Sequence, residues 1–193
     1  MKYAGFWQRF GAYWIDIFCM LPIMGIGLWG AEQTRLFQAY YLVPGIIVGL
    51  LFHVYLVKTY GGTPGKLLLK IKIVQVDGAQ VAYKHAFLRY AILFILSISS
   101  SIAMLIVVLN MSDELYFSMG FQDRAMYMQA NMPRWYGPLS IAMNVWIWSE
   151  FFIMLTNKRR RALHDFIAGT VVVKSSSEPN KLSQQDAASG AAA

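Results

Sequence analysis

Charged side chains are scarce in this sequence. Asp, Glu, Lys and Arg make up 14% of its 193 residues, where a soluble domain carries about 25%. With 57% apolar residues and a mean hydropathy of +0.44, that shortage excludes an ordinary water-soluble domain and points to a chain built for a bilayer. Cysteine is nearly missing too. The single Cys19 excludes an internal disulfide and, lying inside an apolar run, reads as a small packing residue. The three histidines are scattered, no pair has metal-ligand spacing, and Cys19 has no activating partner nearby in sequence. These absences predict no metal, no cofactor and no enzyme site. Acidic residues number ten against seventeen basic ones, a net charge of +7. The basic residues cluster beside apolar segments instead of forming one soluble face, so the partner they imply is a lipid bilayer and not nucleic acid.

What is present is a set of long apolar runs. The pattern predicts an all-α membrane protein, a bundle of about four transmembrane helices with a small cytoplasmic β-hairpin and short interfacial helices. The spans fall at about residues 10–29, 39–57, 86–109 and 136–156, each close to the 20 residues a bilayer core requires. Six Trp and eleven Tyr suit interfacial belts. The first run carries Asp16 and has no small-residue cleavage site, so it reads as a retained span and not a signal peptide.

Between the second and third spans, Thr63-Pro64-Gly65-Lys66 reads as a helix start, with Thr63 as N-cap and Pro64 at the first helical position. The short helix it opens is expected to lie along the membrane surface. It lacks the spacing of a phosphate-binding loop. Residues 70–83 alternate apolar and polar around Asp77-Gly78, a hairpin signal. Residues 122–132 are expected as an interfacial helix of poor periodicity. A further short helix ends at Gly169, followed by a strand-like Thr170–Lys174 that can extend the hairpin's edge. The transmembrane domain thus covers residues 1–174, and residues 175–193 read as a disordered tail.

Of the seventeen Lys and Arg, only Arg35, Arg124 and Arg134 lie outside the N-terminus, the 58–89 segment and the C-terminal region. The positive-inside rule then puts both termini in the cytoplasm.

Arg9 and Asp16, the Thr63-Pro64-Gly65-Lys66 turn, and Arg161-x-x-His164-Asp165-x-x-Ala168-Gly169-Thr170 together resemble the RDD family of bacterial membrane proteins. The resemblance covers residues 3–174. The family is named for one arginine and two aspartates, which correspond here to Arg9, Asp16 and Asp165. The resemblance implies a multi-pass protein of the cytoplasmic (inner) membrane, involved in transport; some members are linked to sodium/proton antiport. The family's shared core is drawn with three spans, so the fourth span or the long third connection is the expected departure. Glu150 and His53 are not among the residues that name the family.

Intramembrane charge is costly and marks function or pairing. At about 1.5 Å per residue, Asp16, Glu150 and His53 fall roughly 6–10 Å below the cytoplasmic interface, with Arg9 at the rim within reach of Asp165. One reading is a cation or proton site made of paired carboxylates, Asp16 and Glu150, with His53 nearby. The other is a static network of Arg9, Asp16, Asp165 and Glu150 that docks the cytoplasmic cap on the bundle. The first makes the protein a transporter of a cation or small solute, acting as a homo-oligomer or with a membrane partner. The second makes it a scaffold or accessory protein.

Overall fold

A computed structural model describes residues 1–175, so the expected tail lies, apart from Ser175, outside the described residues. Four helical stretches are long and apolar enough to cross a membrane: Phe6–Gln33, Phe37–Leu68, Tyr83–Leu109 and Tyr136–Thr156. The first, α1 (Phe6–Gln33), extends past both predicted ends because a helix keeps its backbone bonds into the headgroup layer, where sequence hydropathy fades. The second is composite. It joins α2 (Phe37–Leu50), a π-helical turn (Leu51–Tyr55), α3 (Leu56–Tyr60) and, beyond a break at residues 61–63, α4 (Pro64–Leu68). The third and fourth spans are α5 (Tyr83–Leu109) and α8 (Tyr136–Thr156). Trp7, Trp14, Trp29 and Trp148 all face outward, as side chains do when lipid replaces water as the solvent.

Helix α4 packs against α1, so closely that a Cβ on Gly65 would stand 2.1 Å from the Ala12 carbonyl oxygen. Only glycine permits that approach.

The small antiparallel sheet is present, with different partners from those the Asp-Gly turn suggests. Strand β1 (Ile71–Gln75) pairs with β2 (Thr170–Lys174), Ile71 opposite Lys174 and Gln75 opposite Thr170. The turn at Asp77-Gly78 does fold back, but only through a bridge between Val74 and Gln80 and a bond from Gln75 N–H to the Ala79 carbonyl. Val171, Val172 and Val173 are buried on both faces of the strand, which Ala79–Tyr83 cannot match with its mixture of small and polar residues. Burial therefore selects β2. Tyr3 bridges to Val173 and Ala4 N–H donates to Val172, so the N-terminal segment joins the sheet on the far side of β2. A core of Ala4, Ala12, Val57, Ile71, Ile73, Val81, Ala86 and Val172 binds the sheet to the ends of three spans.

At the opposite end of the bundle the connection between α5 and α8 is helical, α6 (Asp113–Ser118) and α7 (Phe121–Ala130). Ser112 caps α6 by accepting from Leu115 N–H at 3.2 Å. Val107, Met111 and Tyr116 pack with Met119, Tyr127, Met128 and Met132 into a separate apolar cluster. Helix α9 (Leu163–Ala168) stands between α8 and β2 and ends at Gly169 in the left-handed conformation, φ +65°.

Candidate functional site

Asp165 is the centre of the basic face. It is the third residue of α9, fully buried, and every element around it contributes a donor. Arg9 of α1 donates Nη1 to Oδ2 at 2.8 Å. Arg89 of α5 donates Nη1 to Oδ1. Ala162 N–H reaches Oδ2 at 3.0 Å and the Thr170 hydroxyl reaches Oδ1 at 3.1 Å. Burial alone would favour the neutral acid, but Arg89 and then Arg9 reverse that and hold the carboxyl well below the usual carboxylate range. Asp165 is therefore an anion with four donors, shared by two spans, α9 and the sheet. Arg161 closes the same region from outside, donating Nη2 to the Asp165 carbonyl at 2.8 Å and lying 4.2 Å over the Phe166 ring.

A second chain of contacts leaves from Arg89. Its Nη2 meets His164 Nε2 at 2.7 Å, and His164 Nδ1 meets Glu150 Oε1 at 2.5 Å. A guanidinium has donors only, so Nε2 must accept. That places the imidazole proton on Nδ1, where it donates to the Glu150 carboxylate. Glu150 sits on the last turns of α8 and is thereby tied to α9 and α5.

Asp16 is engaged elsewhere. Two turns along α1 from Arg9, it receives the Thr63 hydroxyl at 2.6 Å and Gly65 N–H at 2.7 Å, with Lys66 Nζ at 3.9 Å. Thr63 occupies the N-cap position of α4 with extended backbone, as its sequence predicts, but its side chain makes no capping bond. The cap comes from Asp16 on another helix, and Thr63 and Lys66, 3.2 Å apart, buttress that carboxylate. The expected pairing of Asp16 with Glu150 is corrected accordingly: among the described residues the two carboxylates share no contact, since each already has its own donors. Depth in the membrane gives their level but not the side of the helix they occupy.

His53 lies in the π-helical turn and stacks on Tyr90 of α5, ring centroids 4.6 Å apart. Glu150, His164, Lys66 and Arg89 are all within its electrostatic reach. A π turn shifts the helical phase by one residue and frequently marks a functional position. Gly49 makes room for the stack, because a Cβ there would stand 2.5 Å from the Tyr90 hydroxyl.

On the other side of Tyr90 a cavity of about 720 Å³ opens between α1, α2 and α5 under the α6–α7 connection. Tyr90 lines it at one end, and Glu32, Arg35 and Arg124 at the other. Arg124 pairs with Glu32 and lies 4.4 Å over the Tyr116 ring. Arg35 pairs with Asp113 at 2.5 Å.

Arg89 and Tyr90 belong to the site but do not stand out in the sequence as its members, and His164 and Thr170 are marked there only as part of the family motif. Arg89 reads there as one more topology-setting charge beside Lys84 and His85. Its burial on an apolar helix face, like that of Arg9, was the available signal. Among the described residues no group of three His, Cys, Asp or Glu side chains is placed to share a metal ion.

No curated protein and no solved structure matches the chain. A family model described as the RDD family matches residues 3–169, a stretch that holds all four spans, the sheet's first strand and the Arg9–Asp165 network except Thr170. The chain is an integral membrane protein belonging to the RDD family.

Proposed function

We propose that the protein is transport-related, moving a small solute or cation across the membrane with proton coupling, and that it performs no covalent chemistry. In this reading it resides in the bacterial cytoplasmic membrane with both termini and the sheet in the cytoplasm, and works as a homo-oligomer or beside a membrane partner. One observation carries the reading. Tyr90 lines the cavity and stacks on His53, and the span that carries Tyr90 also carries Arg89, which leads into the His164–Glu150 and Asp165 contacts. A largely apolar cavity on one side and a chain of charged groups on the other, with an aromatic pair between them, suit a carrier that opens to each side in turn. The phase shift of the π turn places His53 in that pair.

Within this scheme the residues divide by role. Arg9, Asp16 and Asp165, each carboxylate met by its own set of donors, hold the cap to the bundle. Glu150 and His53 are the groups whose protonation can change. Arg9 keeps Nε and Nη2 buried and without a partner among the described residues, donors that suit water or a small acceptor beside the network.

The test is flux in sealed proteoliposomes carrying an internal pH dye, under imposed cation and solute gradients. Cation- or solute-dependent proton movement that disappears in His53→Ala and Glu150→Gln supports the proposal. No movement under any imposed gradient, with folded protein in the vesicles, sinks it. The competing reading, a scaffold whose charge network is wholly structural, has one observation in its favour, the complete burial and saturation of Asp165. It predicts folded, inert vesicles.

A further inference from the structure

The cavity between α1, α2 and α5 is the size of a small-molecule site, about 720 Å³ against roughly 300–1,000 Å³ for such sites in general. Its chemistry restricts what it can hold. Three charges line it, and each is neutralised in place. Arg124 is paired with Glu32, and Arg35 with Asp113 and, at 3.0 Å, with the Val108 carbonyl. Nothing is left over to compensate an ion drawn in among apolar walls, and an uncompensated charge there is strongly disfavoured. The walls are otherwise largely apolar, with four methionines, Met24, Met104, Met128 and Met132, whose flexible thioethers adapt to irregular shapes.

The deeper part differs. Tyr90, Ser97 and Ser101 follow one another on a single face of α5, a stripe about 16 Å long at helical rise. Tyr90 is only 9% exposed, yet its hydroxyl has no hydrogen-bond partner among the described residues. It cannot swing away to find one, held as it is between Gly49 and the His53 ring. Serines in apolar helices usually bond back to their own helix. Ser140 does so to Gly137 and Ser149 to Trp146. Ser97 and Ser101 do not. A phenol and two hydroxyls unspent along one wall of the cavity suit an occupant that brings acceptors of its own.

We propose that this cavity binds a neutral amphiphile, an elongated and chiefly apolar molecule carrying hydroxyl or carbonyl groups that meet Tyr90, Ser97 and Ser101. As the identity of a transported solute this rests on the transport reading; as a binding site it stands without it. The ligand can come from the bilayer or from the aqueous phase, and two probes separate these sources. Monoolein stays in the membrane, whereas monocaprylin partitions into water.

The experiment uses the full chain in lipid nanodiscs and photoreactive forms of both probes. Unlabelled monoolein, oleyl sulfate and oleyltrimethylammonium serve as neutral, anionic and cationic competitors, and cross-links are mapped by mass spectrometry. Saturable labelling of α5 and α7, displaced by monoolein far better than by either charged analogue, is expected. It should weaken by about five-fold per hydroxyl removed in Ser97→Ala and Tyr90→Phe, and weaken also in Leu42→Trp, whose larger side chain narrows the cavity. Labelling by monoolein alone identifies a membrane lipid; labelling by both identifies a soluble amphiphile. Equal displacement by the charged analogues, labelling spread over the outward-facing surfaces, or full labelling of Leu42→Trp in folded protein would each overturn the proposal. Binding without flux leaves this site standing and removes transport. Flux without binding does the reverse.

Discussion

Arg89 gives one guanidinium nitrogen to Asp165 and the other to His164, neighbours in sequence that lie 76 and 75 residues from it. One side chain of a membrane span thus anchors α9 and fixes the tautomer of its histidine. Because Thr170 shares the same nitrogen at 2.6 Å, β2 is tied to the same point. Lysine has the charge but not the planar fork that reaches two partners at once. Arg89→Lys should therefore behave nearly as Arg89→Met in stability, both lowering the melting temperature in detergent. A wild-type-like Arg89→Lys would show that charge alone suffices.

Removing the shared anion should be worse. Asp165→Asn leaves Arg9 and Arg89 facing each other in a buried site without a counter-charge, and breaking a buried pair in this way costs about 3–5 kcal/mol. The expected outcome is a melting temperature in detergent well below that of wild type. Adding Arg9→Met to Asp165→Asn should recover part of the loss by removing one stranded cation. An additive second loss would contradict the shared-anion geometry.

The same residue predicts an acid limit. Its carboxyl is held below the ordinary range by Arg89 and Arg9 against the opposing effect of burial. A carboxylate with a depressed folded-state pKa stabilises the fold fully above its unfolded pKa of about 4, and that contribution fades as pH falls below it toward the folded value. Wild type should therefore lose stability more steeply below about pH 4 than Asp165→Asn, whose remaining stability lacks this contribution. Melting curves of both proteins across an acid series measure it. Parallel curves would remove Asp165 from the account.

Helix α4 offers a local test. Gly65→Ala places a methyl group 2.1 Å from the Ala12 carbonyl oxygen and 2.9 Å from Asp16 Oδ1, so the helix must leave α1. Thr63→Ala removes one hydrogen bond to Asp16, worth about 1 kcal/mol, and should leave α4 docked. Hydrogen exchange over residues 64–69 is expected to accelerate strongly in the first variant and slightly in the second. Equal behaviour would mean that α4 is not held by this contact.

These predictions depend on features of uneven visibility in the sequence. The spans were legible because each is a long apolar run with basic flanks, and nothing non-local is needed to recognise one. Strand β1 was legible by alternation, but its partner was not. Asp77-Gly78 advertises the adjacent segment, while the partner is chosen by burying Val171–Val173 against the bundle, which only the assembled fold decides. Arg9 and Asp165 could be matched by depth, since both belong at one rim. Asp16 and Glu150 share a level and still point to different partners, because hydropathy carries no information on how a helix is rotated. The π turn at Leu51–Tyr55 has no composition of its own and was invisible.

Glu150 is where the two readings of the protein part. Its carboxylate accepts the Nδ1 proton of His164 at 2.5 Å. In Glu150→Gln the amide oxygen can accept the same proton, so His164 keeps its tautomer and its bond to Arg89 while the titratable group is gone. Stability should change by no more than about 1 kcal/mol. If Glu150 carries protons past the His53–Tyr90 layer, flux in vesicles should nevertheless disappear. Glu150→Leu removes the acceptor altogether and should lose both flux and stability, since it strands the imidazole N–H beside a buried guanidinium. Melting temperature and flux measured on the two variants therefore separate the roles: a structural Glu150 loses nothing in the glutamine variant, and a proton-carrying one loses its activity with the fold intact.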